Sequence, residues 1–373
     1  MKKSIWGVCA LLLTACVAQR HSAVTSEAGE GKETIDSLAP NPFIRHIYTA
    51  DPSAHVWADG RLYVYASHDI APARGCDLMD QYHVFSTDDM VHWTDHGEIL
   101  RASQVPWGRK EGGFMWAPDC AYKDGTYYFY FPHPSETDWN GSWKIGVATS
   151  KEPAANFTVQ GYIEGMDPLI DPCVFVDDDG QAYIYNGGGG TCKGGRLKDN
   201  MMELDGAMRT MEGLVDFHEA TWIHKYNGKY YLSYSDNHEL GQEGVAGWNR
   251  MHYAISDHPL GPWKHIGIYM QPTRPETGVT NHGSIVQYKG QWFAFYHNSA
   301  LSGDPWLRSV CVGSTTMRTV PSEWWSSVDV EALSCFVIVD FAENARGMKW
   351  KTRWKIVRLR FENRLAQNGK SFG

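Results

Sequence analysis

The sequence predicts an all-β fold, a five-bladed β-propeller, on three observations. One phrase, a Gly turn followed by alternating aromatic and aliphatic residues, occurs five times. The turn glycines Gly60, Gly125, Gly180, Gly228 and Gly290 lie 65, 55, 48 and 62 residues apart. Each interval has room for about four strands and a loop, the period of a propeller blade. No strong helical period separates the copies. A β-sandwich of meandering hairpins is the alternative architecture, but it does not account for five like units.

The chain opens on Met1-Lys2-Lys3 and an apolar run from Ile5 to Leu13. This reads as a secretory signal, too short to span a membrane. It ends Leu13-Thr14-Ala15-Cys16, which resembles the bacterial lipoprotein signal, in which the Cys becomes the lipidated first residue. Residues 1–16 are therefore expected to be a signal peptide, with Cys16 as a membrane anchor; a plain secretory signal is the alternative. Residues 17–40 are polar and rich in Ser, Thr, Gly and Glu, and read as a flexible tether. The expected location is outside the cytoplasm, in the periplasm or at the outer-membrane or cell surface.

The propeller is expected over residues 41–312. Its strand phrases begin at Asp59-Gly60, Asp124-Gly125, Asp179-Gly180, Asn227-Gly228 and Lys289-Gly290. Asp-Gly and Asn-Gly accept the positive φ of a tight hairpin, and runs such as Tyr127-Tyr128-Phe129-Tyr130 are good strands. A second phrase runs from Ser86 through Trp93 to Gly97, and from Ser256 through Trp263 to Gly267. It predicts a further hairpin on the outer side of a blade. The 16 Trp, 19 Tyr and 14 Phe suit such strands and their packing, and also suit flat sugar faces. The formal net charge of −9 argues against a dedicated nucleic-acid binder. Of eight cysteines, Cys9 lies in the signal and Cys16 is the anchor. Cys76, Cys120, Cys173, Cys192, Cys311 and Cys335 form no C-x-x-C pair and no zinc spacing. Cys120 and Cys173 are expected in the core, and spacing assigns no disulfide.

The residues before each turn carry the chemistry. Nine residues before Gly60 stands Asp51, nine before Gly180 stands Asp171, and nine before Gly228 stands Glu219. His282 lies eight before Gly290, and Asp119 six before Gly125. In a propeller the first strand of each blade lines the central channel, so these positions converge at one end of the axis. Converging buried acids repel one another and raise their pKa values unevenly. Such an arrangement suits acid–base work. In glycoside hydrolysis one carboxylic acid protonates the leaving oxygen while a carboxylate activates water. A third can hold the acid protonated.

On these motifs the chain is similar to glycoside hydrolase family 43, the inverting five-bladed propeller glycosidases, over about Asn41 to Val312. The resemblance implies Asp51 as general base, Asp171 as pKa modulator and orienter, and Glu219 as general acid. Glu219-Ala220-Thr221-Trp222-Ile223 resembles the family's acid-bearing strand, with Ala220 where many members carry Gly; little effect is expected. Met115-Trp116-Ala117-Pro118-Asp119 resembles the element whose aromatic, here Trp116, borders the sugar subsite. Asn281-His282-Gly283-Ser284 resembles the motif whose His stands at the channel centre, beside a structural calcium ion held largely through waters. Arg308 resembles a fifth-blade Arg that reaches the substrate. The implied activity is an exo-acting hydrolase removing arabinofuranose or xylose from arabinoxylan-type chains. It needs no cofactor for its chemistry and works as a monomer on an oligo- or polysaccharide, with no nucleic-acid partner. The loops Asp69 to Tyr82 and Pro134 to Trp143 are expected to shape the pocket. The alternatives are a non-catalytic or impaired sugar-binding propeller lipoprotein, and a retaining fructan-active propeller, whose motifs Asp171 and Glu219 fit less well.

Weaker signals have simpler readings. Gly187 to Gly190 lacks the G-K-[ST] of a phosphate loop and is expected to be a flexible loop near the active face. Asp177-Asp178-Asp179-Gly180 is expected to be a hairpin turn, not a calcium loop. His218-Glu219 does not begin a zinc motif, because Trp222 occupies the second His position. Residues 313–373 form an atypical tail, with ten Lys/Arg against six Asp/Glu and no Gly-turn strand phrase. Read from the third base of the Thr316 codon, the genetic code permits Asn-Ala-Asp-Gly-Thr-Ile-Arg-Val-Val, a further Gly turn and strand. A frame change near Val312 is the expectation, and a divergent extension the alternative.

Overall fold

The computed structural model describes residues 35, 38–72, 76–136, 141–236, 249–270 and 280–315. The signal segment with Cys16, most of the tether, Cys335 and the tail from residue 316 lie outside the described residues.

Five antiparallel sheets follow one another along the chain, each with its strands in sequence order. The first blade is β1 (Tyr48–Val56), β2 (Leu62–Asp69), β3 (Gln81–Thr87) and β4 (Thr94–Arg101). The second is β5 (Asp119–Lys123), β6 (Thr126–Pro134), β7 (Trp143–Ser150) and β8 (Thr158–Tyr162). The third is β9 (Ile170–Val176), β10 (Ala182–Gly188), β11 (Thr191–Arg196) and β12 (Arg209–Thr210). The fourth is β13 (Glu219–Tyr226), β14 (Lys229–Ser235), β15 (Met251–Ser256) and β16 (Lys264–Met270). In the fifth, β17 (Gly283–Tyr288), β18 (Gln291–Asn298) and β19 (Ser309–Thr315) are described, and β19 runs past Val312.

The repeated phrase forms the hairpin between the first two strands of every blade. In blades two, four and five the loop is two residues long, and both carry positive φ: Asp124-Gly125, Asn227-Gly228 and Lys289-Gly290. That is the requirement of the turn whose twist matches paired strands. In blades one and three a longer turn ends on Gly60 or Gly180, whose amide returns to the carbonyl of Trp57 or Asp177 at 2.9 and 2.8 Å. The outer hairpins also form, β3–β4 and β15–β16.

Adjacent blades are joined by a tyrosine that recurs five residues after the turn glycine. Tyr65 donates its hydroxyl to the Pro153 carbonyl (2.6 Å), Tyr130 to Met201 (2.9 Å) and Tyr185 to Pro259 (2.6 Å). All three are fully buried, so each ring fills the gap between two sheets while its hydroxyl is satisfied on the next blade. This places much of the aromatic content in interblade packing.

The ring closes where blade one meets blade five. The Thr49 amide donates to the Arg308 carbonyl at 2.9 Å, and Tyr288 donates to the Asp88 carbonyl at 2.7 Å. Ahead of β1, the Asn41 side chain pairs with both backbone groups of Val312, at 2.7 and 2.9 Å. It acts there as a one-residue strand on β19. Phe43 stacks on Trp93 at 4.0 Å and meets Phe295 edge-on, stapling both sides of the seam.

The Gly187–Gly190 expectation is corrected. Gly187 and Gly188 end β10, and Gly189-Gly190 turn tightly into β11. A Cβ on Gly187 would lie 2.4 Å from the Phe217 ring, so glycine serves close packing beside the segment that leads to Glu219. The five described cysteines are free, with Cys120 and Cys173 buried as expected. Among the described residues no helix is long and apolar enough to cross a membrane.

Candidate active site

In three blades the innermost pairing slips register at the same place: near Asp51 in β1, near Asp171 in β9 and beside Glu219 in β13. Asp51 (φ 54°), Asp171 (φ 51°) and Ala220 (φ 66°) there take left-handed backbone. A bulge re-aims a side chain out of the pleat. Here it turns all three carboxylates into one cavity of about 560 Å³. For a non-Gly residue this conformation costs about 1–2 kcal/mol. Glycine at 220 would relieve that strain but lose a buried methyl group and gain unfolded-chain freedom, so the two sides nearly cancel.

Of the residues singled out in the sequence, six line this cavity: Asp51, Trp116, Asp171, Glu219, His282 and Arg308. Asp51 accepts a hydrogen bond from Ser67 Oγ at 2.9 Å, and its amide donates to His297 Nδ1 at 3.0 Å. Arg308 Nη1 reaches Asp51 Oδ1 at 3.4 Å. The rest of that guanidinium is fully engaged. Nε and Nη2 hold both oxygens of Asp69 at 2.9 and 2.8 Å, Nη1 donates to Thr280 Oγ1 at 2.6 Å, and Nη2 meets Met79 Sδ at 3.3 Å. In this arrangement Arg308 braces Asp51; its five N–H donors are all directed at protein.

Asp171 is deeply buried. Burial first, then the charge of Glu219, pushes its carboxyl well above the usual carboxylate range, while the Ala220 amide at 2.7 Å pulls the other way. Thr221 Oγ1 also donates to the Asp171 carbonyl at 2.5 Å. Asp171 thereby holds Ala220 and Thr221, the two bulge residues that follow Glu219. Burial likewise raises Glu219; His218, with Nε2 3.4 Å from Glu219 Oε2, opposes it, and the Asp51 charge adds to it. His282 is buried with Nδ1 3.7 Å from Asp171 Oδ2, and burial lowers its pKa. Trp116 is held by its indole N–H on the Cys76 carbonyl at 2.9 Å, with its ring 4.6 Å from Trp143.

Asp119, which the sequence grouped with these positions, pairs with Tyr130 as Ser53 pairs with Tyr65, and is not among the lining residues. Its Oδ1 accepts from Ser53 Oγ (2.6 Å) and the Cys120 amide (2.8 Å) and faces His55 Nε2 at 2.7 Å, while Oδ2 accepts from the Val174 amide at 2.6 Å. It ties blades one, two and three together at the axis. The Asp69–Tyr82 loop does reach the cavity, through Cys76, Asp77 and Met79. The described part of the Pro134–Trp143 loop supplies Trp143 behind Trp116. Sequence reasoning missed Arg109, Phe114, Thr280 and Trp306, which also line the cavity. Thr280 offers a clue only in three dimensions, a β-branched residue at φ 49°.

The family model described as Glycosyl hydrolases family 43 matches residues 39–320. The chain belongs to that family. A family 43 relative, the xylosidase/arabinosidase 43A of Humicola insolens, is 38% identical over 333 residues, covering 73% of this chain and 94% of that protein. A xylosidase/arabinosidase of Bacteroides ovatus is 36% identical, covering 71% and 90%. Among solved structures, the chain is similar to a GH43 beta-xylosidase/alpha-arabinofuranosidase from a compost microbial metagenome, in complex with xylotriose and calcium-free. The TM-score is 0.64 at 35% identity, covering 74% of this chain and 93% of that one. A GH43_1 enzyme from Xanthomonas citri complexed with xylotriose gives 0.62 at 33%, covering 73% and 88%. The five-bladed architecture of the family 43 fold is the one observed here.

Proposed function

We propose that this family 43 glycoside hydrolase acts on xylan-type polysaccharide by removing terminal xylose or arabinofuranose with inversion. The observation that carries the reading is the convergence of three carboxylates, from three blades, in different electrostatic settings. Asp51 faces a guanidinium, which suits a base. Glu219 and Asp171 are buried carboxyls with raised pKa values, which suits retention of a proton near neutral pH. Glu219 protonates the glycosidic oxygen as the bond to the anomeric carbon breaks. Asp51 accepts a proton from the water that attacks the opposite face. Asp171 positions Glu219 through the Ala220 amide, and Trp116 borders the sugar. The names of the relatives, xylosidase/arabinosidase and arabinoxylan arabinofuranohydrolase, support exo action on a short sugar terminus.

The test is anomer-resolved proton NMR on xylobiose and arabinoxylan oligosaccharides. Release of α-xylose first from the β-linked substrate supports inversion; β-xylose first rejects it. No release from any xylan or arabinoxylan oligosaccharide rejects the enzyme reading.

We infer that a calcium ion, when bound, sits beside His282. The fit is through water: Ca²⁺ takes about 6–8 ligands, mostly oxygen. Among the described residues no three His, Cys, Asp or Glu side chains are arranged to hold a metal ion directly, and the buried Asn281 Oδ1 lacks a hydrogen-bond partner. His282 and Asn281 would hold the hydrated ion, which would supply positive charge under the sugar. Chelation is expected to lower Tm by several degrees, and millimolar Ca²⁺ to restore it, with no response in His282→Ala. A wild-type Tm indifferent to both would reject the site. We further infer lipid attachment at Cys16 and a monomeric enzyme outside the cytoplasm. Labelling with a fatty-acid analogue that persists in Cys16→Ala would contradict the anchor.

A further inference from the structure

The cavity contains two arginines in different states. Arg308 directs every guanidinium donor at protein. Arg109 does not: its buried Nε has no hydrogen-bond partner, and Glu111 Oε2 is 3.6 Å from that nitrogen. Its guanidinium lies over the Phe114 ring, 4.6 Å from the centroid. The backbone beneath it is nevertheless well held. The Arg109 amide donates to the Pro134 carbonyl at 3.1 Å, and the Gly112 amide returns to the Arg109 carbonyl at 3.3 Å. Gly108 has room only for hydrogen, since a Cβ would lie 2.5 Å from the His133 ring. The result is a preorganised cation, ion-paired to Glu111 at 3.6 Å, whose buried Nε makes no hydrogen bond to protein.

Its place in the wall indicates the ligand. Asp51, Asp171 and Glu219 stand on the innermost strands at the propeller axis. Arg109 stands on the β4–β5 connection between two blades, and Phe114, under its guanidinium, lies 5.7 Å from the Trp116 ring. On the glycosidase reading, a sugar bound against the carboxylates leaves the Arg109 side of the same cavity for the next sugar. A guanidinium fork on an aromatic face suits paired oxygen acceptors. Glu111 beside it and Asp77 in the same wall offset its charge, which favours neutral hydroxyl groups over a carboxylate.

We propose that Arg109, braced on Phe114, binds the hydroxyl groups of the leaving-group sugar, and so distinguishes an oligosaccharide from a simple xyloside. This rests on the glycosidase reading of the cavity. Arg109→Met keeps the apolar stem and removes the donors. In the otherwise full-length protein carrying Glu219→Gln, calorimetric titration is expected to show xylobiose affinity reduced about tenfold by Arg109→Met, and xylose affinity changed less than twofold. With Glu219 intact, kcat/KM on xylobiose is expected to fall about tenfold, and on phenyl β-xyloside less than twofold. Arg109→Lys, which keeps the charge without the fork, is expected to lie between and guards against misfolding of the Met variant. Equal losses for both ligands, no loss for either, or a Glu219→Gln protein that binds xylobiose no tighter than xylose would each overturn the proposal. A wild-type enzyme without turnover on any xyloside would instead overturn the glycosidase reading, while the titration still reports on Arg109.

Discussion

Glu219→Gln is expected to lower kcat/KM on xylobiose by about 10³-fold, within the 10²–10⁴ that a positioned general acid contributes. Dinitrophenyl xyloside should lose far less, because its leaving group departs without a proton. The same variant is expected to be more stable than wild type at neutral and alkaline pH. Burial raises the Glu219 carboxyl above its unfolded value, and Asp51 adds to this. The folded protein therefore binds that proton more tightly than the unfolded chain. The stability tied to the proton is complete below the ordinary Glu value, about 4.3, and is lost as pH rises through the folded value. Glutamine does not titrate, so the Tm advantage should be absent near pH 4 and grow toward pH 8. Thermal scans at pH 4, 6 and 8 measure it. An advantage independent of pH, or an equal activity loss on both substrates, would contradict the assigned role.

Asp69→Ala is expected to give the largest loss of stability, about 3–5 kcal/mol, because it leaves the buried Arg308 guanidinium without its main countercharge. For a domain of this size that is a Tm decrease of roughly 6–20 °C. Asp69 holds both Nε and Nη2 of Arg308 and also accepts the Arg308 amide at 2.7 Å. Adding Arg308→Met should recover part of the loss, since no unpaired charge then remains, yet leave activity low because Asp51 loses its brace. A double-mutant cycle reads this coupling. Additive losses would show that the two residues act independently.

The architecture was legible because its signals are local. A hairpin needs positive φ, so Asp124-Gly125 and Asn227-Gly228 announce themselves, and period-two aromatics follow. The carboxylates were legible by register: the same distance from turn to bulge places Asp51, Asp171 and Glu219 alike. That distance also tells Asp119 apart: it stands six residues before its turn, opposite Tyr130 as Ser53 is opposite Tyr65, and its oxygens are taken by Ser53, Cys120 and Val174. The cavity walls were less legible. Arg109, Phe114 and Trp306 sit in connections between strands, which carry no period and whose direction depends on the neighbouring blade. The partner of Arg308 could not be read either, because 239 residues separate it from Asp69. For Gly187–Gly190, composition suggested flexibility; the Phe217 ring makes Gly187 a packing requirement, and Gly189 and Gly190 supply the positive φ of the turn.

The seam between blades one and five has a consequence for biogenesis. The contacts that complete the base span most of the chain: Asp51 with His297, Asp69 with Arg308, and Asn41 with Val312, up to 271 residues apart. Loops of that length close late, after local hairpins have formed. A chain emerging from the ribosome can thus carry all three carboxylates in four finished blades while the base still lacks its guanidinium. On the proposed function, hydrolytic activity is expected only from a chain whose ring has closed, because Asp51 waits for Arg308.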